Sequence, residues 1–171
     1  NADWPKDADG SYVSFDFEIT AATSDPAAPM PGETTIHVAP ADASKVNDLV
    51  AKFGEIAFDK DDLAAIDASN PTRAKTYTYT VKEVAPPTGA IDKLRYSKAE
   101  YQVAVTVKAV LNDAGKYSGL TTSTKVTQVK DDMGNTVNKV IGTAAAPDAI
   151  PASTFTNVKV LTDLPLTGAG W

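Results

Sequence analysis

The feature that most constrains the fold is a set of segments in which apolar and polar residues alternate one by one. In segment 74–84, Tyr77, Tyr79, Val81 and Glu83 share one parity, while threonine and lysine occupy the other. A period of two places the two sets of side chains on opposite faces of a β-strand. Threonine, valine and tyrosine, which dominate these segments, also favour strands. The chain is therefore predicted to consist mainly of β-strands.

Several other segments show the same alternation or a strand-like composition, and proline-rich or glycine-containing turns separate them. The predicted strands, in chain order, are 12–20, 34–38, 55–58, 74–84, 101–107, 120–129, 136–141 and 154–160. Many strands at turn-punctuated spacing are typical of a β-sandwich. The predicted fold class is thus all-β, an immunoglobulin-like sandwich.

One part of the chain departs from the period of two. Between Asp42 and Gly54 the apolar residues recur at helical spacing, and Gly54 is suited to the end of a helix. These apolar residues are Val46, Leu49, Val50 and Phe53. A short amphipathic helix is predicted as an insertion here, and one or two helical turns are predicted over 61–68.

The composition excludes several classes of protein. Cysteine is absent and His37 is the single histidine, which removes thiolate zinc sites, most other metal clusters and Ser-His-Asp catalysis. The net charge of −6, from 22 acidic and 16 basic residues, disfavours nucleic acids and anionic lipid surfaces as partners. No apolar run approaches the length of a membrane span. We predict no metal, no cofactor and no conventional enzymatic activity.

The C-terminal tail carries a short peptide motif. Its residues are Leu164, Pro165, Leu166, Thr167 and Gly168. They match the LPxTG signal that sortases, the transpeptidases of Gram-positive bacteria, cut between threonine and glycine. Such a substrate must be an extended, accessible peptide, and Pro165 favours this because it fixes φ and removes a backbone donor. The alternative is a chance match in a flexible terminus. The predicted organisation is a domain of residues 1–160 and a tail of residues 161–171.

Two polar residues share the parity of apolar neighbours. Glu83 follows the tyrosines of its predicted strand, and Asn157 shares its parity with Phe155 on the last predicted strand. Both are predicted to point into the sandwich or towards its rim, where burial would raise the pKa of the Glu83 carboxyl. The alternative is that both strands end at these residues and both side chains reach solvent.

Several short motifs also occur in a distinctive order. Segment 77–83 reads YTYTVKE, and segment 155–157 reads FTN. Trp4 precedes an F-x-F strand, FGEIAF follows at 53–58, and Tyr96 leads into the valine-rich segment 103–107. This order resembles the streptococcal pilin isopeptide-linkage domains of Gram-positive pilins, over almost the whole chain. The resemblance implies a CnaB-like sandwich.

The resemblance further implies a covalent cross-link that forms without an enzyme. In that family, a lysine on the first strand is joined to the asparagine of the last strand, and a glutamate promotes the reaction. The resemblance places these roles on Asn157 and Glu83. Lysine, asparagine and glutamate suit this chemistry. The lysine amine attacks only when neutral, and a protonated glutamate carboxyl can polarise the asparagine amide and transfer protons.

The lysine partner is left open by the sequence. The family's lysine lies ahead of the stretch matched by Trp4, so we expect it to precede Asn1. Lys6 is the lysine of this segment and a second candidate, but its first interpretation is an ordinary surface charge. A third alternative is that this domain lacks the bond.

Together these features predict a structural subunit or stalk domain of a Gram-positive pilus or cell-wall-anchored surface protein. It would be extracellular and attached by sortase at LPLTG to a neighbouring pilin subunit or to peptidoglycan. Its only chemistry would be the formation of its own isopeptide bond. The alternative is an anchored adhesin domain that binds a host protein or glycan, with an exposed pocket in the insertion between residues 21 and 53.

Overall fold

A computed structural model describes residues 3–47 and 49–160 of the chain. The strands within these ranges are β1 (Phe15–Ala21), β2 (Thr35–Val38), β3 (Lys75–Val84), β4 (Leu94–Arg95), β5 (Glu100–Leu111), β6 (Tyr117–Lys130), β7 (Thr136–Ala144) and β8 (Val158–Lys159). The helical residues in the same ranges form three single 3-10 turns, Ala43–Lys45, Lys60–Asp62 and Pro147–Ala149. The prediction of an all-β chain is confirmed.

Two antiparallel sheets make up the architecture. The larger sheet has six strands in the order β2-β1-β3-β5-β6-β7, and the smaller sheet pairs β4 with β8. β3 lies near the centre of the larger sheet, where its register places Phe17 opposite Glu83 on one side and Val81 opposite Tyr101 on the other. The arrangement is that of an immunoglobulin-like domain, as predicted.

One face of the larger sheet is buried because the alternation is in phase across its central strands. Tyr79 of β3 lies between Ala21 of β1 and Val103 of β5, and all three have the parity that points to the core. Residues of the opposite parity, such as Glu18 and Lys82, pair across the outer face at 3.6 Å between carboxylate and ammonium. The alternation in the sequence therefore determines which face is covered.

Two different parts of the chain cover the buried face. The connection between β1 and β3 covers one half and contributes Ala28 and Leu63 to a core with Tyr77 and Tyr79. The other half holds a smaller core of Ala99, Tyr101 and Val126, onto which Phe155 packs. This second half lies beneath the segments that flank β4 and β8.

The predicted helix over 42–54 is wrong. Among the described residues of this range, the helical structure is the 3-10 turn Ala43–Lys45, begun by the Asp42 carboxylate, which accepts a hydrogen bond from the Ser44 amide at 2.8 Å. Val50 is 63% exposed, whereas Phe53 packs on the core without helical structure, so the predicted stripe does not pack as one helical face. A segment this short does not hold a helix without such packing.

Two of the predicted strands also need correction. Segment 55–58 is not a strand, and Ile56 and Phe58 pack on the core from an irregular segment. The last strand contains Val158–Lys159 rather than 154–160. The backbone of Thr154 bonds to a side chain: its carbonyl accepts from the Tyr101 hydroxyl at 2.5 Å and its amide donates to the same oxygen at 3.0 Å. The helical turns predicted over 61–68 reduce to Lys60–Asp62.

Candidate functional site

A buried carboxyl group lies at the end of β3. Glu83 is 7% exposed, so the alternative that its side chain reaches solvent is wrong. Neither of its carboxylate oxygens has a hydrogen-bond partner of normal geometry among the described residues. A buried polar atom without a partner is costly, and native structures contain few of them.

The surroundings of Glu83 favour its neutral form. Burial raises the pKa of this carboxyl from an ordinary value of 4.5 to about 7, and the charge of Asp132 acts in the same direction. The Asn157 side chain opposes the shift as a hydrogen-bond donor would, although its contact lacks normal geometry. At neutral pH the carboxyl is therefore close to half protonated, and it can both accept and release a proton.

Asn157 lies one residue before β8, where the smaller sheet begins. The ladder pairs Leu94 with Lys159 and Arg95 with Val158, and one more step along it brings Asn157 opposite Tyr96. The backbone amide of Ser97 then donates a hydrogen bond to the side-chain carbonyl oxygen of Asn157, with 2.6 Å between N and Oδ1. A side chain thus replaces the backbone acceptor at this end of the sheet.

This hydrogen bond fixes the orientation of the Asn157 amide group. Oδ1 faces the Ser97 amide, and a carbonyl oxygen cannot donate to a carboxylate. The Asn157 side chain lowers the pKa of Glu83 as a donor would, and Nδ2 is the end of the amide that can donate. The two ends of one amide consequently have different neighbours: a backbone N–H at the oxygen and a partly protonated carboxyl at the nitrogen.

Aromatic rings surround this end of the buried face. Phe155 packs between Phe17 and Tyr101, with ring centroids 4.9 and 5.1 Å apart. Phe15 packs edge-on against Trp4 at 5.2 Å and against Tyr96 at 5.9 Å. The contacts of Phe155 hold the segment before β8 against the larger sheet.

A cleft of about 540 Å³ opens beside this site. Glu83, Ser97 and Ala99 contribute to its walls, and basic side chains contribute to its rim. These basic residues are Lys82, Arg95, Lys98 and Lys130. The cleft provides the opening through which a further group could approach Glu83.

The sequence analysis missed two residues of the site, Ser97 and Asp132. The Asp132 carboxylate accepts hydrogen bonds from the Ser97 hydroxyl and from the Thr156 amide, the latter at 2.9 Å, and its carbonyl accepts from the Lys98 amide at 2.9 Å. Asp132 belongs to the turn between β6 and β7, whose sequence predicts only a turn. Nothing in the sequence signals that this turn contacts the segment before β8.

The remaining predicted site residues lie elsewhere or are outside the described ranges. Lys6 is exposed, pairs with Tyr12 through the backbone and places its ammonium 4.9 Å from the Tyr12 ring centroid. The contacts described for it include neither Glu83 nor Asn157.

The residues of the predicted sortase motif lie outside the described residues; they are Leu164, Pro165, Leu166, Thr167 and Gly168. Helices long and apolar enough to cross a membrane are absent from the part of the chain that the structure describes.

Comparison with known protein families identifies the class of this domain. The model of the FctA family, described as a Spy0128-like isopeptide containing domain, matches residues 6–158. This match identifies the class of protein: a structural β-domain of the pilin isopeptide type. The chain belongs to the FctA family, whose domains are typical of Gram-positive pilin subunits and imply a context at the bacterial surface. No curated protein and no solved structure matches the chain.

Proposed function

We propose that this chain is a load-bearing subunit or stalk domain of a Gram-positive pilus or wall-anchored protein, stabilised by an isopeptide bond at Asn157. One observation carries the proposal: Glu83 is buried without a hydrogen-bond partner of normal geometry beside the oriented amide of Asn157. A merely structural carboxyl would be expected to have satisfied oxygens. An incoming lysine amine would supply the missing partner.

The proposed reaction exchanges one amide for another. The neutral lysine Nζ bonds to Cγ of Asn157, the Cγ–Nδ2 bond breaks, and Nδ2 leaves as ammonia. Glu83 accepts one proton from the attacking amine and returns one proton to the leaving nitrogen, so it ends unchanged. Folding brings the reactants together, and orientation of this kind contributes roughly 7–11 kcal/mol. Each molecule reacts once, so the domain is not an enzyme in the ordinary sense.

The lysine of the pair is Lys6 or a lysine outside these 171 residues. Lys6 would have to leave its contact with Tyr12 to reach Glu83. A lysine on the first strand of the domain, which the family resemblance implies, would need no such rearrangement. Identification of the cross-linked peptide decides between them.

The bond would serve a mechanical role. Joining the first strand to the last lets tension pass along covalent bonds instead of through the hydrogen bonds of the sheets. Forced unfolding is governed by the unfolding rate, and a cross-linked chain cannot extend between its joined strands. The domain would resist both pulling and proteolysis.

We further propose that sortase attaches the chain through LPLTG. The enzyme would form an acyl intermediate at Thr167 and release the part of the chain beyond it. A neighbouring pilin subunit or a peptidoglycan precursor would then supply the amine. The motif stands directly after the domain, where a tail can enter another protein's groove.

The cross-link is tested by the intact mass of the protein as its natural host produces it. The expected result is a mass lower by one ammonia, restored to the full value in Glu83→Ala and in Asn157→Ala. Matched controls are Glu18→Ala on the outer face and Asn135→Ala in the turn before β7, which should keep the deficit. A full mass in the wild-type protein would refute the cross-link.

Anchoring is tested separately in the native host. Thr167→Ala should move the protein from the wall fraction to the medium, while Thr162→Ala, five residues earlier, should leave it in the wall. Retention of the Thr167→Ala protein through a covalent bond would contradict the sortase proposal and leave the cross-link unaffected.

A second candidate function is adhesion. A groove of about 600 Å³ lies between the N-terminal segment and the turn after β2, and it is lined by Trp4 and Tyr12 together with Ala43, Val46 and Asn47. The half-buried rings of Trp4 and Tyr12 would offer apolar faces to a glycan. Binding of the wild-type domain to a glycan array, lost in Tyr12→Ala, would support this function, and an array without signal would remove it.

A further inference from the structure

The carbonyl oxygen of Asn157 has a hydrogen-bond donor in position before any reaction occurs. When an amine attacks Cγ of an amide, negative charge develops on the carbonyl oxygen. A preorganised N–H aimed at that oxygen stabilises the tetrahedral intermediate. The Ser97 amide nitrogen lies 2.6 Å from Oδ1 of Asn157, a close contact just below the usual 2.7–3.2 Å span of N–H···O hydrogen bonds.

We propose that the backbone N–H of Ser97 is the oxyanion donor for cross-linking at Asn157, and that Asp132 is the residue that positions it. This inference rests on the proposed function and adds two residues to the pair that the sequence indicates. It assigns the oxygen end of the amide to Ser97 and the nitrogen end to Glu83. The two groups then act on opposite ends of the reacting amide.

Asp132 positions the donor because it links the two segments that meet at the site. Its carboxylate accepts from the Ser97 hydroxyl and from the Thr156 amide, the residue next to Asn157. The Ser97 hydroxyl oxygen also accepts from the Ala99 amide at 3.1 Å, which further fixes the Ser97 backbone. The donor and the amide that it serves are therefore held by one carboxylate.

The reaction proceeds in two balanced steps at this geometry. The Nζ lone pair forms the bond to Cγ, the C=O π pair moves to Oδ1, and Ser97 N–H stabilises that charge while Glu83 takes an amine proton. The pair on Oδ1 then restores the C=O bond, the Cγ–Nδ2 bond breaks, and Glu83 delivers the proton to departing ammonia. No oxidant or further reactant is needed.

The test compares rates of ammonia loss in the natural full-length protein. Each protein is made in a short cell-free synthesis pulse, chased, quenched in denaturant and weighed intact at successive times. The variants are Ser97→Ala, Asp132→Ala and Asp132→Asn, since asparagine retains the Oδ1 acceptor but not the charge. The control is Asp131→Ala, which loses hydrogen bonds from Met133 and Asn135 in the same turn and contacts neither Ser97 nor Thr156 through its carboxylate.

We expect Ser97→Ala and Asp132→Ala to react at least about tenfold more slowly, less than the roughly hundredfold loss when an oxyanion donor is removed. Asp132→Asn should recover most of that rate, and Asp131→Ala should react at close to the wild-type rate. Recovery by asparagine separates positioning from a general loss of stability.

Three outcomes would overturn the inference. If the wild type loses ammonia and Asp132→Ala does so at the same rate, Asp132 has no positioning role. If Asp131→Ala slows as much as Asp132→Ala, the effect belongs to the turn as a whole. A wild type that never loses ammonia refutes the proposed function and this inference together.

A measurement on the wild-type chain guards against variants that fail to fold. The Ser97–Asn157 hydrogen bond should give a scalar coupling between the Ser97 amide nitrogen and Cγ of Asn157 in the NMR spectrum. Absence of this coupling in the folded protein would also overturn the inference.

Discussion

The two halves of the buried face differ in whether their buried polar atoms have hydrogen-bond partners. Beneath the connection between β1 and β3, the Tyr77 hydroxyl donates to the Asp62 carbonyl at 2.6 Å and the Tyr79 hydroxyl donates to the Pro29 carbonyl at 2.7 Å. Beneath the smaller sheet, the carboxylate of Glu83 has no hydrogen-bond partner of normal geometry. Tyr77, Tyr79 and Glu83 all belong to β3 and point to the same buried face.

This difference separates a structural core from a reactive site. Hydrogen bonds on buried hydroxyls fasten a covering loop to the sheet, and they leave no group with chemistry to perform. An unsatisfied carboxyl destabilises the fold and persists where it has a function. One strand therefore serves both purposes, with its last inward residue assigned to the reaction.

The largest expected effect lies in the structural half. Tyr79 is fully buried, so Tyr79→Ala should lower the free energy of unfolding by about 3–5 kcal/mol because it leaves a cavity and an unpaired carbonyl. Urea unfolding measures the loss, with Thr80→Ala on the outer face as the control. A loss below about 1 kcal/mol would show that this half is not the main core.

The next effect is a gain in stability in the reactive half. Because the Glu83 pKa is raised from 4.5 to about 7, the folded state holds this proton more tightly than the unfolded state, and stability falls as pH rises from about 4.5 to about 7. Glu83→Gln does not titrate, so it should be more stable than wild type by about 3 kcal/mol at pH 8 and nearly equal at pH 4.

The comparison uses urea unfolding of protein whose intact mass shows no loss of ammonia. Glu18→Gln, on the outer face, is the control and should show no such pH-dependent gain. If Glu83→Gln were destabilising at pH 8, the carboxylate would have a favourable partner and the contrast between the two halves would fail.

A smaller loss is expected where Tyr101 fastens the segment before β8. Tyr101→Phe removes a hydroxyl that both donates to and accepts from the backbone of Thr154. The expected loss is about 1–2 kcal/mol, with faster hydrogen exchange at the Thr154 amide. Unchanged exchange at Thr154 would show that the Phe155 ring contacts alone hold this segment.

The smallest effect concerns the exposed edge of the larger sheet. The hydrogen bond to Asp16, at 2.6 Å, and its charge raise the pKa of His37 above 6.5. NMR titration should show this increase, and Asp16→Asn should remove it. Any stabilisation from the pair is present at low pH and lost as pH rises through the raised pKa. A His37 pKa unaffected by Asp16→Asn would show that the pair does not form.

The local periodicity of the sequence predicted most of the long strands, and it gave an inward-facing Glu83 as one of two alternatives. Tyr77, Tyr79 and Val81 fix the parity of β3, and the same parity turns Glu83 inward. The same reasoning was wrong for segment 42–54, because helical spacing predicts a helix only when the apolar stripe packs as one face, and Val50 is exposed while Phe53 packs on the core.

The rest of the site depends on contacts between distant parts of the chain. Ser97 lies in a short loop and contacts Asn157 because β4 pairs with β8. Asp132 lies in the β6–β7 turn, and its position there lets it contact Ser97 and Thr156. No local pattern encodes such contacts. Tyr101 likewise replaces a neighbouring strand at Thr154, which is why the last strand is shorter than its alternation predicts.

The most direct test of the central claim is peptide mapping of the protein purified from its natural host. Tandem mass spectrometry should find a branched peptide in which a lysine side chain is joined to Asn157, with one ammonia missing. It would also name the lysine. Recovery of the 155–160 region only as a linear peptide with an intact Asn157 amide would contradict the account.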